Sequence, residues 1–90
     1  MTDVSETLSE RGARYGKFNN HANVTQGIKS AYRLHHSNWC RLDTVTKEAL
    51  EMIAHKIGRI IGGDETYGDS WHDIAGYATL AKEHHERNHE

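Results

Sequence analysis

An all-α fold is what this sequence predicts: a compact bundle of three or four helices, built on one antiparallel helix hairpin and assembling as an oligomer. Three observations carry that expectation. The 90 residues include no proline, so helices can run unbroken and glycine does the punctuation. Val45, Ala49, Met52, Ile53, Ile57, Ile60 and Ile61 recur at helical spacing, as do Trp71, Ile74, Tyr77, Ala78 and Ala81. The glycine-rich stretch 62–69 between these stripes is short, which makes the two helices antiparallel neighbours. Oligomerisation follows from size, because a single domain spanning 1–90 has a thin core and gains by burying surface against a copy of itself.

Taken in order, residues 3–11 suit a short helix with Val4 and Leu8 on one side. "RGARYGKFNN", from Arg11, holds two glycines and reads as a loop. A helix over 20–34 places Val24, Ile28, Ala31 and Tyr32 on one face. "HHSNWCRLD" reads as a polar connection pinned by Trp39 and Leu42. Asp43 or Thr44 then caps the long helix of the first stripe. Gly62 and Gly63 suit a left-handed C-cap, and Asp69 or Ser70 starts the last helix, which runs to about His85. The hairpin therefore occupies 43–85, and 86–90 is expected to be a frayed tail.

Composition excludes several function classes. Hydrophobic residues at 36% and charged residues at 27% suit a globular chain and not a disordered one. A net charge of −2 with histidines neutral argues against a duplex nucleic-acid binder, which needs a basic stripe. The lone Cys40 forms no internal disulfide and fits a reducing cytosol. It has no evident histidine-plus-acid partnership, so it does not read as a nucleophile. No apolar run approaches membrane-span length, and the first residues lack signal-peptide character.

Two charges sit inside the apolar stripes. At 100° per residue, Lys56 falls between Val45 and Ala49 in angle, and Asp73 falls between Tyr77 and Leu80. With Glu65 as the middle of the turn, Lys56 is nine residues before it and Asp73 eight after. Lys56 should meet Asp73, and by the same counting Arg59 should meet Asp69. An ion pair in an apolar seam is weak support for stability, since desolvation offsets attraction. Such pairs also gather in functional sites. A structural pair and a ligand pocket are both open readings here.

"ERGARYGKF" is the second candidate site. Gly12 and Gly16 would let backbone amides approach an anion, Arg11, Arg14 and Lys17 would pair with phosphate, and Tyr15 would stack on a base. The plain alternative is a connecting loop with Tyr15 and Phe18 anchored in the core. Eight histidines are the compositional oddity, and their protonation raises the net charge below about pH 6.5. His85 and His89 stand at i, i+4, a chelating spacing, though a solvated tail is the plainer reading and no metal ligand is assigned. His72 falls on the polar side of its helix, and His55 flanks the Lys56 stripe. Trp39 and Trp71 read as core anchors.

Three segments together resemble a family of small bacteriophage and prophage proteins of unknown function. Arg11, Gly12, Arg14, Tyr15 and Gly16 match its RGxRYG opening, Lys56 and Arg59 its KxxR, and Asp73, Ile74, Ala75, Gly76 and Tyr77 its DIAGY close. More distantly, the close is similar to the end of the MazG-related all-α nucleotide pyrophosphohydrolases, which bind magnesium through ExxE and ExxD. Glu48 and Glu51 supply an ExxE, whereas Asp69 and Asp73 make a DxxxD that departs from the pattern. Counting along the hairpin also sets Glu51 roughly 9 Å from the level of Asp73, so four carboxylates would need a partner subunit to converge.

Three functional readings follow. The first, implied by the phage resemblance, is an accessory protein of the host cytoplasm that binds a nucleotide or nucleotide-derived signal, in one form sequestering a host defence signal. Arg11, Arg14, Tyr15 and Lys17 would handle phosphate and base, Lys56 and Arg59 would complete a cationic wall, and Asp73 would orient Lys56. It has no catalytic residue and no cofactor. The second is a divergent pyrophosphohydrolase using magnesium on Glu48, Glu51, Asp69 and Asp73. The third is an interaction protein with a host protein as partner.

Overall fold

The computed structural model describes residues 4–15 and 17–88, with the side chains of all of these except 11–15. It is all-α, with five helices among the described residues: α1 (Val4–Tyr15), α2 (Phe18–Leu34), α3 (His36–Arg41), α4 (Thr44–Gly62) and α5 (Gly68–Asn88). None of them is long and apolar enough to cross a membrane.

α4 is the central element. It packs against α2 on one side and α5 on the other, and α1 touches both α2 and α4. Asp43 caps it as expected, its Oδ1 accepting from the Thr46 N–H at 2.8 Å, which satisfies one of the unpaired first-turn donors. The α4–α5 turn is held by its own polar groups. Asp64 Oδ1 accepts from Thr66 N at 2.9 Å, and Trp71 Nε1 donates to the Glu65 carbonyl at 2.8 Å. That donation keeps Trp71 over the turn and 54% exposed, so Trp71 is not the core anchor its place in the stripe suggested.

The α2–α4 seam is built from small residues. Ala54 and Gly58 are buried, and Thr25 packs directly over Gly58. A Cβ on Gly58 would run into Thr25 Oγ1 and stand 2.9 Å from the His21 carbonyl oxygen. Gly62 makes a similar approach, since a Cβ there would lie 3.0 Å from the His21 amide nitrogen. The two glycines let the helix backbones come close, as a small residue must at a tight crossing.

Four expectations are corrected. The first helix does not stop at Arg11. α1 continues to Tyr15 and α2 starts at Phe18, so Gly12 lies inside a helix and not in a loop. The polar connection contains the short helix α3, its turns closed by Trp39 N–H to His35 O at 2.8 Å. No glycine or proline interrupts residues 35–42, so the backbone is free to coil. α4 leaves through Gly63 at φ −141°, ψ −132°, outside the left-handed region, because the Asp64 turn redirects the chain one residue later. Finally, α5 runs to Asn88 and not to His85, supported by the Lys82–Glu86 ion pair at 2.6 Å. Gly16, His89 and Glu90 lie outside the described residues.

Candidate functional site

Lys56 and Asp73 meet across the α4–α5 hairpin, Nζ to Oδ2 at 2.9 Å. The pair is asymmetric in solvent. The lysine side chain is 12% exposed and the aspartate 39%. The hydrogen bond from Lys56 holds the Asp73 carboxyl below the usual carboxylate range, helped by the charges of Lys56, His72 and Arg59. The counting that paired these residues was correct, and Asp73 interrupts its apolar stripe because a nearly buried ammonium lies opposite. Asp69, expected to face Arg59, accepts from the Tyr67 hydroxyl at 2.8 Å.

Beside Lys56 lies a feature the sequence reading did not single out. His21 is buried under α4, its Nε2 3.3 Å from His55 Nδ1, with the two rings edge to face at 4.4 Å. Burial lowers the His21 pKa, and the Arg59 and Lys56 charges lower it further. His55 is pushed down to about 4 by burial, then by His21, Arg59, Lys56 and Lys29. Two imidazoles are thus kept neutral within a cationic neighbourhood. A signal for His21 was present: it stands three residues before Val24 and seven before Ile28, in line with the apolar face of α2.

The first turn of α2 rests on the last turns of α4. Lys17 O accepts from His21 N–H at 3.2 Å, and His21 abuts Gly58 and Gly62. The α1–α2 junction therefore sits at the Arg59 end of α4. Lys17, at the N-cap of α2, is exposed there, and Arg59 is half-buried. Arg11, Arg14 and Tyr15 occupy the end of α1, and their side chains lie outside the described residues. Phe18, which the plain loop reading would anchor in the core, is 77% exposed and set edge to face with His21.

Other candidates are placed as follows. Among the described residues, Glu48, Glu51, Asp69 and Asp73 supply no group of three acids close enough to hold one metal ion, and Asp73 is engaged by Lys56. The acidic set implied by the magnesium enzymes does not fit a cation within one chain. Cys40 has a histidine neighbour after all: α3 brings its sulfur 3.5 Å from His36 Nε2. Trp39 is half-buried, stacked on Tyr32 at 4.9 Å over an apolar groove of about 350 Å³ between α2, α3 and Leu50. The hydroxyl of its stacking partner Tyr32 donates to Leu50 O at 3.1 Å.

A family model described as "Domain of unknown function (DUF6378)" matches residues 1–85. The chain belongs to the DUF6378 family. The match takes in the α1–α2 junction, Lys56, Arg59, Asp73 and the histidine pair, so the whole cationic region lies inside the family domain, and only residues 86–90 fall beyond it. Membership brings a shared domain and no assigned activity. No curated protein and no solved structure matches the chain.

Proposed function

We propose that this DUF6378 chain is a binding protein, not an enzyme, whose ligand is a phosphate-bearing nucleotide or nucleotide-derived signal. One observation supports the reading most. The start of α2 at Lys17 and the Lys56–Arg59 turn of α4, some forty residues apart in sequence, meet at one end of the α2–α4 seam, around two imidazoles whose pKa is lowered by burial and by the Lys56 and Arg59 charges. Among the described residues, Lys56 is paired with Asp73 from the α5 side. An anion arriving from the α1–α2 side would meet Lys17, Arg59 and the arginines of α1, with arginine offering bidentate phosphate geometry. Tyr15 would stack on the base. The phage resemblance extends the proposal to an accessory protein acting in the host cytoplasm, with sequestration of a host defence signal as its concrete form.

The proposed assembly is a homo-oligomer. Among the described residues, the buried hydrophobic ones are Ala49 and Ala54, whereas Val45, Ile61, Trp71 and Leu80 expose much of their side chains along the hairpin. The test is a thermal-shift screen of purified protein against nucleotides, cyclic dinucleotides and ADP-ribose derivatives without magnesium. A ligand of the folded state must raise Tm. Arg14→Ala and Tyr15→Ala are each expected to weaken binding by about tenfold or more, the scale of one charged hydrogen bond or one stacked base. Sedimentation of the same samples should give a particle larger than the 10.2 kDa chain. A screen with no shift for any phosphate-bearing compound overturns the ligand reading.

A further inference from the structure

The open end of the hairpin holds a second constellation, far from Lys56 and independent of the ligand proposed above. Because α4 and α5 are antiparallel, the N-cap of α4 comes to lie beside the last turns of α5, 41 residues away along the chain. Asp43 uses Oδ1 for the cap, accepting from Thr46 N, and turns Oδ2 to His84 Nε2 at 2.9 Å. The neighbouring His85 places its Nε2 2.8 Å from Thr46 Oγ1. The two imidazoles stand edge to face at 5.2 Å. One ligand atom from each of Asp43, His84 and His85 falls within 4.8 Å of the others.

We propose that Asp43, His84 and His85 bind a divalent transition-metal ion of the zinc class, which staples the open end of the hairpin. The donor set decides the class. Two imidazole nitrogens and one carboxylate oxygen suit zinc, cobalt or nickel, whereas magnesium takes oxygen ligands. Metal bonds of about 2.0–2.2 Å put tetrahedral ligand atoms roughly 3.3–3.6 Å apart. The present spread closes to that by side-chain rotation, since Asp43 and His85 are exposed and His84 is half-buried. Three protein ligands leave one position for water. Thr46 is the supporting residue: its N–H fixes the Asp43 carboxylate and its hydroxyl lies against His85. Helix dipoles do not oppose the site, because the positive start of α4 is met by the negative end of α5.

The experiment uses the untagged 90-residue chain with zinc chloride, with magnesium chloride as control, read by Tm and by titration calorimetry. Zinc at about 100 times its Kd is expected to raise Tm by about 10 °C, and magnesium by nothing measurable. His85→Ala and Asp43→Asn should each weaken zinc binding at least about tenfold. Asparagine is as good an N-cap as aspartate, so Asp43→Asn keeps the helix start while removing the charged ligand. Cobalt should give the visible absorption of a tetrahedral site in the parent chain and lose it in His84→Ala/His85→Ala. His36→Ala and His89→Ala should bind as the parent does. No zinc-dependent rise in Tm overturns the proposal, and so does a rise that survives in both His85→Ala and Asp43→Asn.

Discussion

Gly58→Ala is expected to destabilise the fold by a net of about 1–3 kcal/mol, the scale of overpacking a tight seam. Helix propensity works the other way, favouring alanine over glycine by about 1 kcal/mol, and the crossing outweighs it. The new methyl would overlap Thr25 Oγ1 and press on both the ring and the carbonyl oxygen of His21. Neither neighbour has room to yield. Thr25 and His21 are themselves buried, and the His21 carbonyl belongs to the α2 backbone. The methyl must therefore push α2 off α4 along the seam that positions the α1–α2 junction. Thermal melts read the effect at about 4–8 °C per kcal/mol for a domain of this size. Thr25→Ala in the same chain should restore part of the loss and not all of it. It removes the threonine overlap, and also a hydroxyl that finds no hydrogen-bond partner among the described residues, but it leaves the carbonyl contact in place. A Gly58→Ala chain that melts at or above the parent temperature would show that the helices cross less closely than the geometry here requires.

The hairpin was legible because its information is local and periodic. Two stripes, one cap and a short glycine-bearing turn each point to the same arrangement, and counting outward from Glu65 then places Lys56 opposite Asp73. The same counting would have found the metal-ligand cluster. Asp43 is 22 residues before Glu65, and His84 and His85 are 19 and 20 after, which sets them within about one helical turn of each other. The i, i+4 spacing of His85 and His89 does not reveal it, because a cross-helix set has no sequence spacing of its own. His21 was overlooked for a different reason. Its polarity suggests surface, yet its place in the α2 stripe made burial predictable. The α1–α2 junction was misread because two glycines suggest a loop, whereas α1 carries Gly12 between good helix formers at the cost of a single glycine. Gly58 inside a strong stripe was itself a signal of close backbone approach, and only the structure says to what.

The second large effect is acid destabilisation through His21 and His55. Burial holds both below the usual histidine pKa, His55 at about 4, with the Arg59 and Lys56 charges adding to it on both rings and Lys29 on His55. The unfolded chain takes up protons on these rings near pH 6.5, while in the folded chain His55 resists until about pH 4 and His21 is likewise shifted below its unfolded value. Between those values the unfolded state binds more protons, so stability falls as pH falls. It is fully present above pH 6.5 and lost on approach to pH 4. The His55 shift, discounted for partial solvent screening, amounts to about 2 kcal/mol. Urea denaturation at pH 7.5, 6.5, 5.5 and 4.5 measures it. Other histidines and carboxylates also titrate, so the informative quantity is the difference between the parent and His55→Gln. That variant keeps a polar side chain against His21 but cannot take up a proton. The gap between the two chains should narrow or reverse as pH drops from 6.5 to 4.5, whereas parallel curves would mean the imidazole pair is protonated in the fold. The same linkage bears on the proposed ligand. An anion bound beside Lys56 and Arg59 offsets the charge that adds to burial in keeping the two rings neutral, so its binding should be accompanied by proton uptake and tighten as pH falls toward 5.5.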